Sequence, residues 1–178
     1  ILMGYYNPIY NYGVENFLNR AITAGADGLI VVDLPPEEDE ELCLPAIKHG
    51  LPFVRLTAPT SNKERLQVIL KNASGFIYYV SIMGITGTQS FAIERVRNSV
   101  KTLKSHTDLP IAVGFGIKTK QHVSEITKIA DAAIVGSAVV DVIEKSLDAN
   151  GNGNAETVKD ALALVQDLAS GIRLKSKL

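Results

Sequence analysis

Ile111-Ala112-Val113-Gly114-Phe115-Gly116 and Ala132-Ala133-Ile134-Val135-Gly136-Ser137 are the two stretches whose reading decides the fold. Each is a short, continuously apolar run closing on glycine or Gly-Ser, which predicts a strand covered on both faces rather than one with a solvated side. Between them Thr119 precedes Val123, Ile126 and Ala130 at helical spacing. Strand, helix, strand in that order is a βαβ unit, and parallel strands gather functional groups at their C-terminal ends. Gly116 closes one strand and Gly136-Ser137 the next, and Ser137 opens a short helix, Ala138–Lys145. Glycines admit backbone N–H groups close to a ligand, and a helix N-terminus favours an anion. Either glycine alone reads as a tight turn; the pair followed by a helix start points to phosphate.

Working outward, four more apolar runs precede these two: Ile1–Tyr6, Gly28–Asp33, Phe53–Thr57 and Phe76–Ser81. Ile1–Tyr6 reads as the middle of a buried strand, so the chain is expected to be a fragment of a longer one. Val14, Phe17, Leu18 and Ala21 form one helical stripe. Ser61 with Glu64 has the spacing of a capping box ahead of Leu66, Ile69 and Leu70. Pro45 is expected to kink or end a helix over Glu37–His49. Asn154 is placed to cap a last helix with the stripe Val158, Ala161, Leu162, Val165 and Leu168. The Gly- and Asn-rich stretch Asn150–Asn154 is a loop, not a linker, and residues 1–178 are expected to form one domain. Parallel strands with helical crossovers leave an open doubly wound sheet or a closed (β/α)8 barrel. Six units suit an open sheet; a (β/α)8 barrel lacking about its first two βα units fits both the count and the abrupt start.

Of the 178 residues 46% are hydrophobic and 21% charged, with a net charge of −1, which excludes a disordered chain. The near-neutral balance argues against a nucleic-acid binder, and Arg173, Lys175 and Lys177 read as a solvated tail. Cys43 has no partner for a disulfide, and no Cys/His cluster suggests a metal. No apolar run approaches the ~20 residues of a membrane span. A lone cysteine without an export signal suggests the cytoplasm.

Candidate acids and bases are few. His49, His106 and His122 fall on or at the ends of helices, which favours structural roles. Asp33 is the one carboxylate closing a strand, as a general base or as a loop-bracing acceptor. Tyr5, Tyr78 and Phe115 lie near strand ends and together could wall a flat apolar substrate; singly, each reads as core. Ser81–Ser90, with Gly84 and Gly87 flanked by hydroxyls, has the composition of a lid or of an ordinary solvated loop.

The ordered set Leu2-Met3-Gly4-Tyr5-Tyr6-Asn7-Pro8, Asp33-Leu34-Pro35-Pro36-Glu37-Glu38, Tyr79-Val80-Ser81 through Gly84-Ile85-Thr86-Gly87, Gly114-Phe115-Gly116-Ile117 and Val135-Gly136-Ser137-Ala138 resembles the alpha chain of tryptophan synthase. The resemblance runs over nearly the whole chain. It implies a (β/α)8 barrel that cleaves indole-3-glycerol phosphate to indole and glyceraldehyde 3-phosphate, with no cofactor of its own. It also implies a partner, the pyridoxal-phosphate-bearing beta chain, in an alpha2beta2 complex. By resemblance, Gly116, Gly136 and Ser137, helped by Gly87, hold the phosphate, and Tyr5, Tyr78 and Phe115 line the indole pocket. Thr86 belongs to the lid, and Asp33, Pro35 and Pro36 to the surface that communicates with the beta chain. The family's catalytic Glu and Asp match no residue here; the resemblance places them upstream of Ile1. Another phosphate-binding barrel enzyme, or a non-catalytic fragment that binds phosphate or a partner, are the alternatives.

Overall fold

Short β-branched runs alternate with amphipathic helices throughout the computed structural model, which describes residues 1–81, 89–114 and 116–173. The chain divides into two compact units, residues 1–80 with 101–111, and residues 81–100 with 112–178.

The first unit opens with β1 (Leu2–Gly4), α1 (Tyr6–Tyr12), α2 (Val14–Thr23) and β2 (Leu29–Val31). β1 and β2 are parallel, with Leu2, Met3 and Gly4 opposite Leu29, Ile30 and Val31. A bridge from Leu29 to Phe53 leads on to β3 (Arg55–Thr57), which pairs in parallel with β4 (Ile77–Val80). α3 (Cys43–Lys48) and α4 (Lys63–Leu70) complete the crossovers. α2 buries Leu18 and Ala21 and half-buries Val14 and Phe17, as the stripe predicts. These pack with Leu29, Val31, Leu42 and Phe53 into one core, in which each large apolar side chain contributes ~1.5–3 kcal/mol.

Three expectations are corrected here. Ile1, Leu2 and Met3 are exposed, not buried, because β1 lies at the edge of a two-stranded pairing, and Tyr6 already starts a helix. Pro45 sits inside the first turn of α3 and does not end it, since its absent N–H would have had no intrahelical acceptor there. The cap of α4 is Asn62, whose side chain accepts from the Arg65 N–H; Ser61 Oγ instead accepts from the Ala58 N–H.

The second unit carries most of α5 (Gln89–Lys104), then β5 (Ile111–Gly114), α6 (Lys120–Thr127), β6 (Ala132–Ile134), α7 (Ser137–Ser146) and α8 (Ala155–Arg173). β5 and β6 are parallel, and Thr119 caps α6 by accepting from the His122 N–H. Val123 and Ile126 of α6, and Ala130 just beyond it, are buried as their spacing predicts. Asn154 Oδ1 accepts from the N–H groups of Glu156 and Thr157 and so caps α8. The stripe expected on α8 is only partly right: Leu168 is buried and Ala161 half-buried, but Val158, Leu162 and Val165 face outward. Among the described residues, no helix is long and apolar enough to cross a membrane.

Candidate functional site

The ends of β5 and β6 come first, because their pairing sets Gly116 and Gly136 at one level. Gly114 lies opposite Ile134, so each glycine follows a paired residue by two positions. Gly116 has φ +59°, a left-handed conformation that favours glycine. Gly136 is different. Its φ of −120° lies outside the left-handed region, and a Cβ there would meet no atom of the described residues within 4 Å. Among the described residues packing does not demand glycine at this position, and the space beside it is open. Gly136 caps α7 with no side-chain hydrogen bond, although its carbonyl accepts from the N–H groups of Val139 and Val140. Ser137 is exposed as the first helical residue. An uncapped N-terminus with a hydroxyl beside it carries the partial positive charge and the donors that an anion requires. Phe115, Thr86 and Gly87 lie outside the described residues. Of the expected lid, Gln89 and Ser90 belong to α5, and the Ser81 N–H donates to the Gly114 carbonyl (3.0 Å).

In the first unit Tyr78 lies opposite Leu56, both half-buried on one face of β3–β4, while Ile77 and Tyr79 are buried on the other. Tyr5 follows β1 as the N-cap of α1 and is 63% exposed. Asp33 Oδ1 accepts the Tyr6 N–H at 2.8 Å, the bracing arrangement, and so ties the chain after β2 to the chain after β1. Pro35 is extended, and Pro36 takes the first position of a 3-10 turn, Pro36–Glu38. A cavity of about 460 Å³ is lined by Tyr6, Asn7, Tyr10, Asp33, Glu38 and Glu41, among others. A second, of about 240 Å³, is lined by Asp33, Pro35, Pro36, Arg55 and Arg65 among others. Tyr5 and Tyr78 line neither.

Sequence reasoning missed the polar groups that organise this end. Arg55, at the start of β3, is 4% exposed; it pairs with Asp39 and donates through Nη1 to the Leu34 carbonyl at 3.0 Å. Asn72 Nδ2 donates to the other Asp39 oxygen at 2.7 Å. The signal was present: a charge inside the apolar run Phe53–Thr57 implies a buried partner. Tyr6 OH donates to Glu41 at 2.8 Å, and burial together with that carboxylate pushes its phenol up to about 12. Arg65 forks onto Glu37 and holds its carboxyl below the usual range. The histidines are occupied structurally: His49 bonds the Pro45 carbonyl and lies 3.2 Å from Glu15, and His106 bonds the Thr102 carbonyl. Among the described residues no group of three or more His, Cys, Asp or Glu could hold a metal ion.

Known proteins with the same architecture can now be compared. The family described as tryptophan synthase alpha chain matches residues 1–173. A tryptophan synthase subunit alpha from Legionella pneumophila str. Paris superposes with a TM-score of 0.83 at 35% identity, over 97% of this chain and 62% of that one. A protein from Aquifex aeolicus VF5 gives 0.80 at 38% identity, over 96% and 60%. A chain of the tryptophan synthase complex from Pyrococcus furiosus gives 0.79 at 34%, over 95% and 65%. The present chain therefore spans about 60–65% of the length of these relatives. A match over residues 1–173, an α/β fold of parallel strands and this degree of identity place the chain in the tryptophan synthase alpha chain family, whose fold is the (β/α)8 barrel.

Proposed function

We propose that this chain serves in the alpha chain of tryptophan synthase, a carbon–carbon lyase that cleaves indole-3-glycerol phosphate in a retro-aldol reaction to indole and glyceraldehyde 3-phosphate. The observation that carries the reading is Gly136: a glycine with open space beside it among the described residues, at the start of α7 and level with Gly116. Backbone N–H groups there and the Ser137 hydroxyl would bind the phosphate, with Gly87 assisting. Tyr5, Tyr78 and Phe115 would bound the indole, and Thr86 would belong to the lid. No residue of this chain is assigned as acid or base, because none matches the family's catalytic Glu or Asp. The 178 residues then supply binding groups, and the chemistry depends on the two carboxylates. The reaction needs no cofactor of this chain's own; pyridoxal phosphate belongs to the beta chain, the proposed partner in an alpha2beta2 assembly in the cytoplasm. The Pyrococcus furiosus relative comes from a tryptophan synthase complex, which supports the expectation of a partner.

Titration of glycerol 3-phosphate tests the site. Ser137→Ala should weaken binding by roughly fivefold, the loss of one ordinary hydrogen bond of ~1 kcal/mol. Gly136→Val should be worse, because its side chain fills the ligand's approach. Parental affinity in the Val variant would show the phosphate to lie elsewhere. Indole release by the 178 residues alone, at the rate of a full-length alpha chain, would overturn the division between binding and chemistry.

A further inference from the structure

We propose that Arg55 is a positioning residue for the loop that meets the partner: from its buried place on β3 it holds the Leu34 carbonyl and the Asp39 carboxylate, the two ends of the Pro35-Pro36 segment. The inference rests on the proposed function and on the resemblance, which assigns Asp33, Pro35 and Pro36 to the surface that communicates with the beta chain.

Leu34 is buried in the core and Asp33 is bonded to the Tyr6 N–H, but the stretch between Leu34 and Asp39 has few bonds of its own. Pro35 and Pro36 have no N–H to donate, and the turn's own bonds run from Glu38 N–H to the Pro35 carbonyl and from Asp39 N–H to the Pro36 carbonyl. On the side of the 240 Å³ cavity the prolines face open space, not packed side chains. The Glu37–Arg65 pair is solvent-exposed on both partners and so holds weakly. Arg55 reaches both ends of the segment. Its guanidinium also lies over the Phe53 ring, 4.6 Å from the centroid, and Asn72 fixes the Asp39 carboxylate from the far side. A buried ion pair is weak evidence for stability, since apolar residues of similar volume often do as well. What those residues cannot supply is a planar guanidinium that bonds a carbonyl through one nitrogen and pairs with a carboxylate through the other, and lysine cannot supply it either.

The test uses a full-length alpha chain carrying these residues, with its beta chain. Arg55→Met combined with Asp39→Leu removes both charges together and should melt within a few degrees of the parent. Its affinity for the beta chain should fall about tenfold, and the partner's stimulation of kcat should fall with it, while KM for indole-3-glycerol phosphate stays at the parental value. Arg55→Lys, which keeps the charge and loses the guanidinium, should lose several-fold of both. Parental affinity and stimulation in a stable double variant would overturn the assignment. If the double variant melts far below the parent, Arg55→Lys decides: lost coupling supports the proposal and parental coupling refutes it. If the parent complex neither forms nor cleaves substrate, the functional reading has failed instead. Amide exchange over residues 37–39 then judges Arg55 by itself, faster exchange in Arg55→Lys supporting the proposal and unchanged exchange refuting it.

Discussion

Cys43 shows how one position joins packing to chemistry. It is fully buried at the start of α3, and burial pushes its thiol up to about 11. Thiolate is the reactive form, so a chromogenic disulfide reagent should label Cys43 only as fast as the native fold opens, and immediately in denaturant. Tyr6 shifts the same way, up to about 12. In both cases the folded chain keeps a proton that the unfolded chain gives up at lower pH, near 9 for the thiol and 10 for the phenol. Unfolding therefore releases protons in alkali. The contribution is complete below about pH 9 and is lost as pH rises through 11 and 12. Melting temperatures measured from pH 8 to 12 should decline over that window, and less steeply in Cys43→Ala. Arg55 belongs to this scale too. Its charge was visible in the apolar run Phe53–Thr57, but its partners lie 21 and 16 positions earlier in the chain, at Leu34 and Asp39, and no local pattern names them.

Among the elements, α8 is the most instructive. Its sequence carries two adjacent apolar stripes, one through Ala161, Leu164, Leu168 and Gly171 and one through Val158, Leu162, Val165 and Ile172. Both satisfy helical periodicity, so spacing cannot choose between them. Packing against α6 and α7 does. Gly171 turns toward α6, where a Cβ would overlap the Lys120 carbonyl, and that close approach selects the first stripe. Leu168 is consequently 5% exposed and Leu162 63%. Leu168→Ala should cost ~2–5 kcal/mol in urea denaturation, and Leu162→Ala no more than ~0.5. Equal costs would mean that the stripe is assigned to the wrong face. The caps make a smaller version of the point. Asn154 and Thr119 were legible from type and position, whereas Ser61 and Asn62 both qualify and only the Arg65 N–H distinguishes them.

Across the whole molecule, apolar surface is distributed unevenly. Ile1, Leu2 and Met3 are 56%, 45% and 60% exposed, and Val158, Leu162, Val165 and Ile172 are each about half exposed or more. Contiguous apolar surface and a strand edge favour association, so sedimentation should show the mean mass of the 178-residue chain rising with concentration. Leu162→Lys with Val158→Lys should reduce that rise; an unchanged profile would exclude the α8 stripe as its cause. The strand–helix alternation and the glycines that follow β5 and β6 were determined by the sequence alone, because each depends on residues close together in the chain. Tertiary structure decided which stripe of α8 is buried, where Arg55 sends its charge, and that no atom of the described residues lies within 4 Å of where a Gly136 side chain would begin. These depend on groups brought together from distant positions, and packing selects among patterns that local spacing leaves equivalent.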